Sequence, residues 1–120
     1  MATLNVTLEL TSTDVFSDTL SLSNTDALTL TKSTKLERIT TSTTSTSFAA
    51  ASSYTKAYVY LKNTSTTASE IITIEKADSG DEYLTLGAGE FAFFPWASEV
   101  DLFADAATGT PVLEVGIFEA

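Results

Sequence analysis

The chain has no cysteine and no histidine among its 120 residues. Without cysteine there is no disulfide framework and no thiolate chemistry, although the count alone does not fix a compartment. Without histidine the commonest general base and the commonest transition-metal ligand are both missing. Proline occurs only at positions 95 and 111, and tryptophan only at position 96. No apolar run approaches the ~18 residues of a membrane-crossing helix. The opening MATLNVTLEL carries neither a basic region nor a hydrophobic block, so neither a secretion signal nor a membrane span is expected.

Positive charge is also scarce. Six lysines and arginines face sixteen acids, for a formal charge of −10. The imbalance sits in residues 61–120, with eleven acids against two bases, whereas residues 1–60 hold five against four. A surface this acidic repels phosphate backbones, so no direct nucleic-acid binding is expected. It serves solubility, or it docks on a basic partner.

What the chain has in abundance is threonine and serine, 36 residues together, a bias that suits strand faces and turns better than helices. Hydrophobic content of 43% is ordinary for a globular chain, and the length fits a single domain over residues 1–120. Residues 3–10 alternate strictly, with Leu4, Val6, Leu8 and Leu10 on one side. That pattern marks a half-buried strand, serving either as an edge or as an arm that pairs with a neighbour. Further strands are expected at 18–23 and 27–31 around a turn at 24–26, and at 35–41. The small polar run 42–53 reads as a long loop, with a helical turn through Phe48-Ala49-Ala50-Ala51 capped by Ser47 as the alternative.

Residues 57–96 hold most of the aromatic and β-branched material. Strands at 57–62, 70–75, 82–86 and 90–96, joined by short turns, suggest an antiparallel meander as the folding core. Strands at 100–104 and 112–118 complete the chain. The fold class expected is all-β: an antiparallel β-sandwich of jelly-roll type with nine or ten short strands.

Motifs that carry chemistry are scarce. Gly87-Ala88-Gly89-Glu90 resembles half of a nucleotide fingerprint, but strand residues follow where a helix is needed, so a hairpin turn is the better reading. Asp78, Asp81 and Glu82 offer carboxylates for Ca²⁺ at a spacing that matches no EF-hand loop, and a solvated turn explains them. Asp101 and Asp105 read as a second acidic pair or as plain surface. Asn5-Val6-Thr7 and Asn63-Thr64-Ser65 match glycosylation sequons but lack a secretion context. Tyr54, Tyr58 and Tyr60 pack in a sheet or line a carbohydrate-stacking surface. Phe91 and Phe93 share one strand face and Phe94 and Trp96 the other, so this strand needs burial on both sides, the second by a sheet, a loop or another subunit. Pro95 removes a ladder donor and should end the strand or place it at an edge. No catalytic residue, metal site or cofactor is expected.

The opening MATLNVTLEL, the run AYVYLKNTSTTASEIITI and the run LTLGAGEFAFFPW resemble small structural proteins of tailed bacteriophages, especially those encoded beside capsid genes in marine and cyanobacterial phages. The resemblance spans most of the chain as a pattern: an alternating N-terminal strand, a K-N-T turn, a G-x-G-E turn and an acidic C-terminal strand. The chain departs from the pattern in being shorter between its central hairpins. The resemblance implies a virion component without an active site, a capsid decoration (cement) protein on the outer surface of the head. A tail, neck or fibre component, or a receptor-binding jelly roll, is the alternative. It further implies the major capsid protein as partner and a homo-oligomer, with a trimer favoured. The contact candidates are then Leu4, Val6 and Leu8 in the first strand, Phe48 in the 42–53 run, and Phe91, Phe93, Phe94 and Trp96.

Overall fold

The computed structural model describes residues 2–31, 35–76 and 81–120. The chain divides into two compact units, Met1–Lys32 and Ser33–Ala120, where the sequence suggested one domain.

The first unit is a hairpin of β1 (Ala2–Ser12) and β2 (Leu20–Leu30), paired without a break from Ala2 opposite Leu30 to Ser12 opposite Leu20. Because side chains alternate along a strand, the even-numbered positions put Leu4, Val6, Leu8 and Leu10 on one face with Leu20, Leu22, Leu28 and Leu30. The odd positions are nearly all threonine, serine or asparagine, and Thr7 and Thr25 meet there, Oγ1 to Oγ1, at 3.3 Å. The turn expected at 24–26 is absent. Asn24 lies opposite Leu8 and Asp26 opposite Val6 within one continuous strand. The long cross-strand register outweighs the local turn preference of these two residues, and the Asp26 carboxylate accepts the Ala27 amide at 2.8 Å instead.

The second unit is an antiparallel sandwich. Its strands are β3 (Lys35–Thr40), β4 (Thr46–Ala49), β5 (Ala57–Asn63), β6 (Ile72–Lys76), β7 (Glu82–Leu86), β8 (Phe91–Trp96), β9 (Leu102–Ala106) and β10 (Val112–Glu119). One sheet runs β3-β10-β5-β8 and the other β4-β9-β6-β7. The alternation read in the sequence decides what faces inward. Val59 and Leu61 from β5, Leu113, Val115 and Ile117 from β10, Ile72 and Ile74 from β6, and Leu102 from β9 form the core and are all but inaccessible. Each such side chain contributes about 1.5–3 kcal/mol on burial.

Two expectations need correcting. Residues 57–96 are not a meander: β5 and β6 lie in different sheets, as do β7 and β8, and β5 pairs with β8 and β10. Of these consecutive strands only β6 and β7 are sheet neighbours. The Gly87–Glu90 turn is therefore a tight crossing between sheets rather than a hairpin. Gly89 adopts φ +78°, a conformation glycine reaches at no steric cost, and the Glu90 carboxylate accepts the Gly87 amide at 2.5 Å. The 42–53 run is not a loop throughout. It contains β4 and a 3-10 turn at Ala51–Ser53, with Ala50 rather than Ser47 at its cap position. A bulge between Ser47 and Ala49 lets the adjacent Phe48 and Ala49 both turn into the core, a break in alternation that periodicity conceals.

Pro95 behaves as its chemistry requires. Asn63 N–H donates to Glu90 O at 3.0 Å, so in this register the backbone groups of Ala92, Phe94 and Trp96 face β5. Those of Phe91, Phe93 and Pro95 face the open edge, where a missing N–H breaks no ladder bond.

Candidate binding surfaces

Among the described residues no group of three or more acidic side chains is placed to hold a metal ion. Asp78 lies outside the described residues. Asp101 and Asp105 do not act as a pair: Asp101 accepts the Ala51 amide at 2.8 Å, whereas Asp105 lies beside Glu75. Two open clefts on the sandwich measure about 150 Å³ each, below the ~300 Å³ at which small-molecule sites begin. Among the described residues, the surfaces with character are flat.

The first is the aliphatic face of the hairpin. Leu4 and Val6 are half-buried, while Leu8, Leu10 and Leu22 remain about half exposed, Leu8 at 50%.

The second is the outer face of the β3-β10-β5-β8 sheet. Register places Leu36, Gly116, Tyr60 and Phe93 in one row across the four strands, and Arg38, Glu114, Lys62 and Phe91 in the next. Phe118 and Tyr58 follow on the other side. The rings of Tyr58 and Phe93 stack at 6.1 Å with 9° between their planes, and Lys56 Nζ lies 5.5 Å from the Tyr58 ring centre. Gly116 makes room for this layer, since a Cβ there would come within 2.9 Å of the Phe118 ring. Tyr60 donates its hydroxyl to Glu114 Oε1 at 3.2 Å, and Arg38 approaches the other Glu114 oxygen at 3.9 Å. Burial, and then the hydrogen bond and charge of Glu114, raise the Tyr60 pKa. The phenol therefore stays a donor throughout the physiological range. Phe91, 65% exposed, and Phe93, 37% exposed, form the open rim of the layer.

The remaining expected contact residues point inward. Phe94 is half-buried and meets Tyr83 edge-on at 5.5 Å. Phe48 and Trp96 are core side chains at 6% and 5% exposure, with almost no surface left for a partner. Trp96 packs at 5.9 Å from Tyr54, which removes Tyr54 from the outer aromatic layer. Trp96 Nε1 is buried with no hydrogen-bond partner among the described residues. Sequence reasoning missed Leu36, Gly116 and Phe118. Their signal was the outward half of the β3 and β10 alternation, which becomes visible only once the neighbours of each strand are known.

A third feature lies on the outer side of the other sheet. Glu75 is almost fully buried there and accepts the Ser45 hydroxyl at 3.2 Å. Desolvation, then a hydrogen bond and repulsion from Asp105 and repulsion from Glu82, raise its pKa, opposed by Ser45.

The two sequons also diverge. Asn5 is exposed on the polar face of the hairpin. Asn63 is fully buried and engaged through its side-chain amide, which leaves no room for a glycan.

Comparison with protein-family models, with curated proteins and with solved structures finds no match to this chain.

Proposed function

We propose that this chain is a non-enzymatic structural protein of a tailed-bacteriophage virion, a capsid decoration protein bound to the outer surface of the head. In this reading its partner is the major capsid protein, it acts as an oligomer, a trimer in the favoured form, and it stabilises capsomer junctions. The observation that carries the reading is the character of its surfaces. A long aliphatic ribbon and a broad aromatic sheet face suit extended contact with other proteins, where aromatic residues supply much of the binding energy. The resemblance of MATLNVTLEL, AYVYLKNTSTTASEIITI and LTLGAGEFAFFPW to small phage structural proteins points the same way. So does the strand order of the sandwich, which counted from β3 reads 1-8-3-6 and 2-7-4-5 and supports a jelly roll, a fold common in capsid proteins.

A protein that binds only the assembled shell stabilises it by linkage, and many copies multiply a modest contact. Purified protein added to expanded capsids that lack it should bind and raise their rupture temperature. Capsids that neither bind it nor gain stability would rule the reading out. The exposed stack of Tyr58 and Phe93 favours one second reading, a receptor- or glycan-binding module on a tail or fibre. Saturable glycan binding that is lost in Phe93→Ser would select it.

A further inference from the structure

We propose that β1 is the docking edge for a second copy of this chain. The β1 strands of two copies pair antiparallel about a two-fold axis and join two hairpins into one four-stranded sheet, ordered β2-β1-β1-β2. The inference rests on the first unit alone and not on where the protein acts. Its two-fold contact pairs one copy with one other, separately from any contact that would join three copies in the decoration reading.

Its starting point is incompleteness. A two-stranded hairpin with one aliphatic face is marginal in water, and three or more strands are needed for independent stability. Here each strand runs eleven residues, and about half of the β1 backbone N–H and C=O groups face its open edge. Nothing in β1 guards that edge. It contains no proline, no glycine, no lysine and a single charge, Glu9. The β8 edge of the sandwich, by contrast, carries Pro95 with its backbone turned outward, a device that discourages strand addition.

Self-complementarity of the β1 sequence selects a second copy as the occupant, and charge selects β1 rather than β2 as its place. Copies of a chain at −10 repel one another, so they meet best where charge is sparse. Within β1 the aliphatic stripe Leu4, Val6, Leu8, Leu10 is uninterrupted, whereas β2 breaks its own stripe with Asn24 and Asp26. Joining two β2 edges would bring Asp26 of both copies toward one another, and like charges across strands are destabilising. Joining two β1 edges moves Asn24 and Asp26 to the rim and leaves aliphatic residues in the middle, the usual anatomy of an interface.

Self-complementarity fixes the register. With the pairing centred on Thr7, Leu4 of one copy lies opposite Leu10 of the other, Val6 opposite Leu8, Thr3 opposite Thr11, and Glu9 opposite Asn5. No charged residue then meets its own copy. An edge about 35 Å long on a sheet about 10 Å thick gives a contact on the order of 700 Å² over both copies. That lies below the ~1,200–2,000 Å² of stable complexes, so the dimer is weak and concentration-dependent.

The test is sedimentation of the full chain from about 5 to about 500 μM, a range that brackets a weak dimer, with amide hydrogen exchange at both ends. A dimer should form as concentration rises, with new protection confined to β1. Leu8→Lys should weaken it at least tenfold, while the β1 and β2 amides already slow at low concentration stay slow, showing that the hairpin persists. A single monomeric species over the whole range would overturn the proposal. So would concentration-dependent protection on β2 or β8 instead of β1, or association that Leu8→Lys leaves unchanged. Capsid binding is read separately, so failure here leaves the decoration reading standing.

Discussion

The side-chain amide of Asn63 donates to the main-chain carbonyl of Leu86 at 3.0 Å, tying the end of β5 in one sheet to the end of β7 in the other. The same nitrogen donates to Glu70 O at 2.8 Å, and Asn63 Oδ1 accepts the Ser65 amide at 3.0 Å. A fully buried amide thus satisfies three backbone groups from segments that would otherwise close the sandwich with unpaired polar atoms.

Asn63→Leu keeps the size of the side chain and strands those backbone groups. The expected loss is about 2–4 kcal/mol, from the penalty for leaving buried donors and acceptors unpaired. Asn63→Asp should be at least as damaging, because a carboxylate cannot donate to the two carbonyls and becomes a buried charge. Urea unfolding checks both: the midpoint should fall with the slope unchanged.

Glu75 makes stability depend on pH in the direction opposite to most carboxylates. Its pKa is raised above the ordinary 4.5 by burial and then by Asp105 and Glu82, with the Ser45 hydroxyl opposing. The folded state therefore prefers the protonated form. The contribution of Glu75 is full below its unfolded pKa and is lost as pH rises through the folded value. Glu75→Gln, which mimics the protonated form, should be more stable than the parent at pH 8. The difference should shrink to near zero once the pH falls below the ordinary value of 4.5. Paired urea titrations at the two extremes measure it.

Two aromatic residues five positions apart should behave in opposite ways. Trp96→Ala empties a core position and should cost about 3–5 kcal/mol. Phe91→Ser changes a ring that is mostly in water and should alter stability by no more than about 0.5 kcal/mol. Phe91→Ser should nonetheless weaken binding to the capsid or other partner by about tenfold, or ~1.4 kcal/mol. Thermal unfolding and a binding titration on the same preparations separate the two effects.

These contrasts show which parts of the fold were legible in the sequence. The two faces of the Phe91–Trp96 strand were readable because they follow from alternation alone. The burial expected on both sides is found only on the Phe94–Trp96 side, and Phe91 and Phe93 remain exposed. The long alternating runs of β1, β5 and β10 were readable for the same reason. Three things were not. Asn24 and Asp26 carry turn preferences that only the opposing β1 strand overrides. The bulge at Phe48 hides β4 by placing two buried residues side by side. The partners of β5 lie about thirty and fifty residues away along the chain, and pairing at such separation depends on the whole sandwich rather than on local pattern. The aromatic outer face inherits that limit, since it exists only once β3, β10, β5 and β8 are set side by side.

A cryo-EM map of the particle that carries this protein would locate it on or off the head. Density is expected over capsomer junctions on the outside of the head, with the hairpin's aliphatic face or the Phe91–Phe93 rim against the shell. Density confined to the tail or a fibre, or none on the particle at all, would contradict the decoration reading.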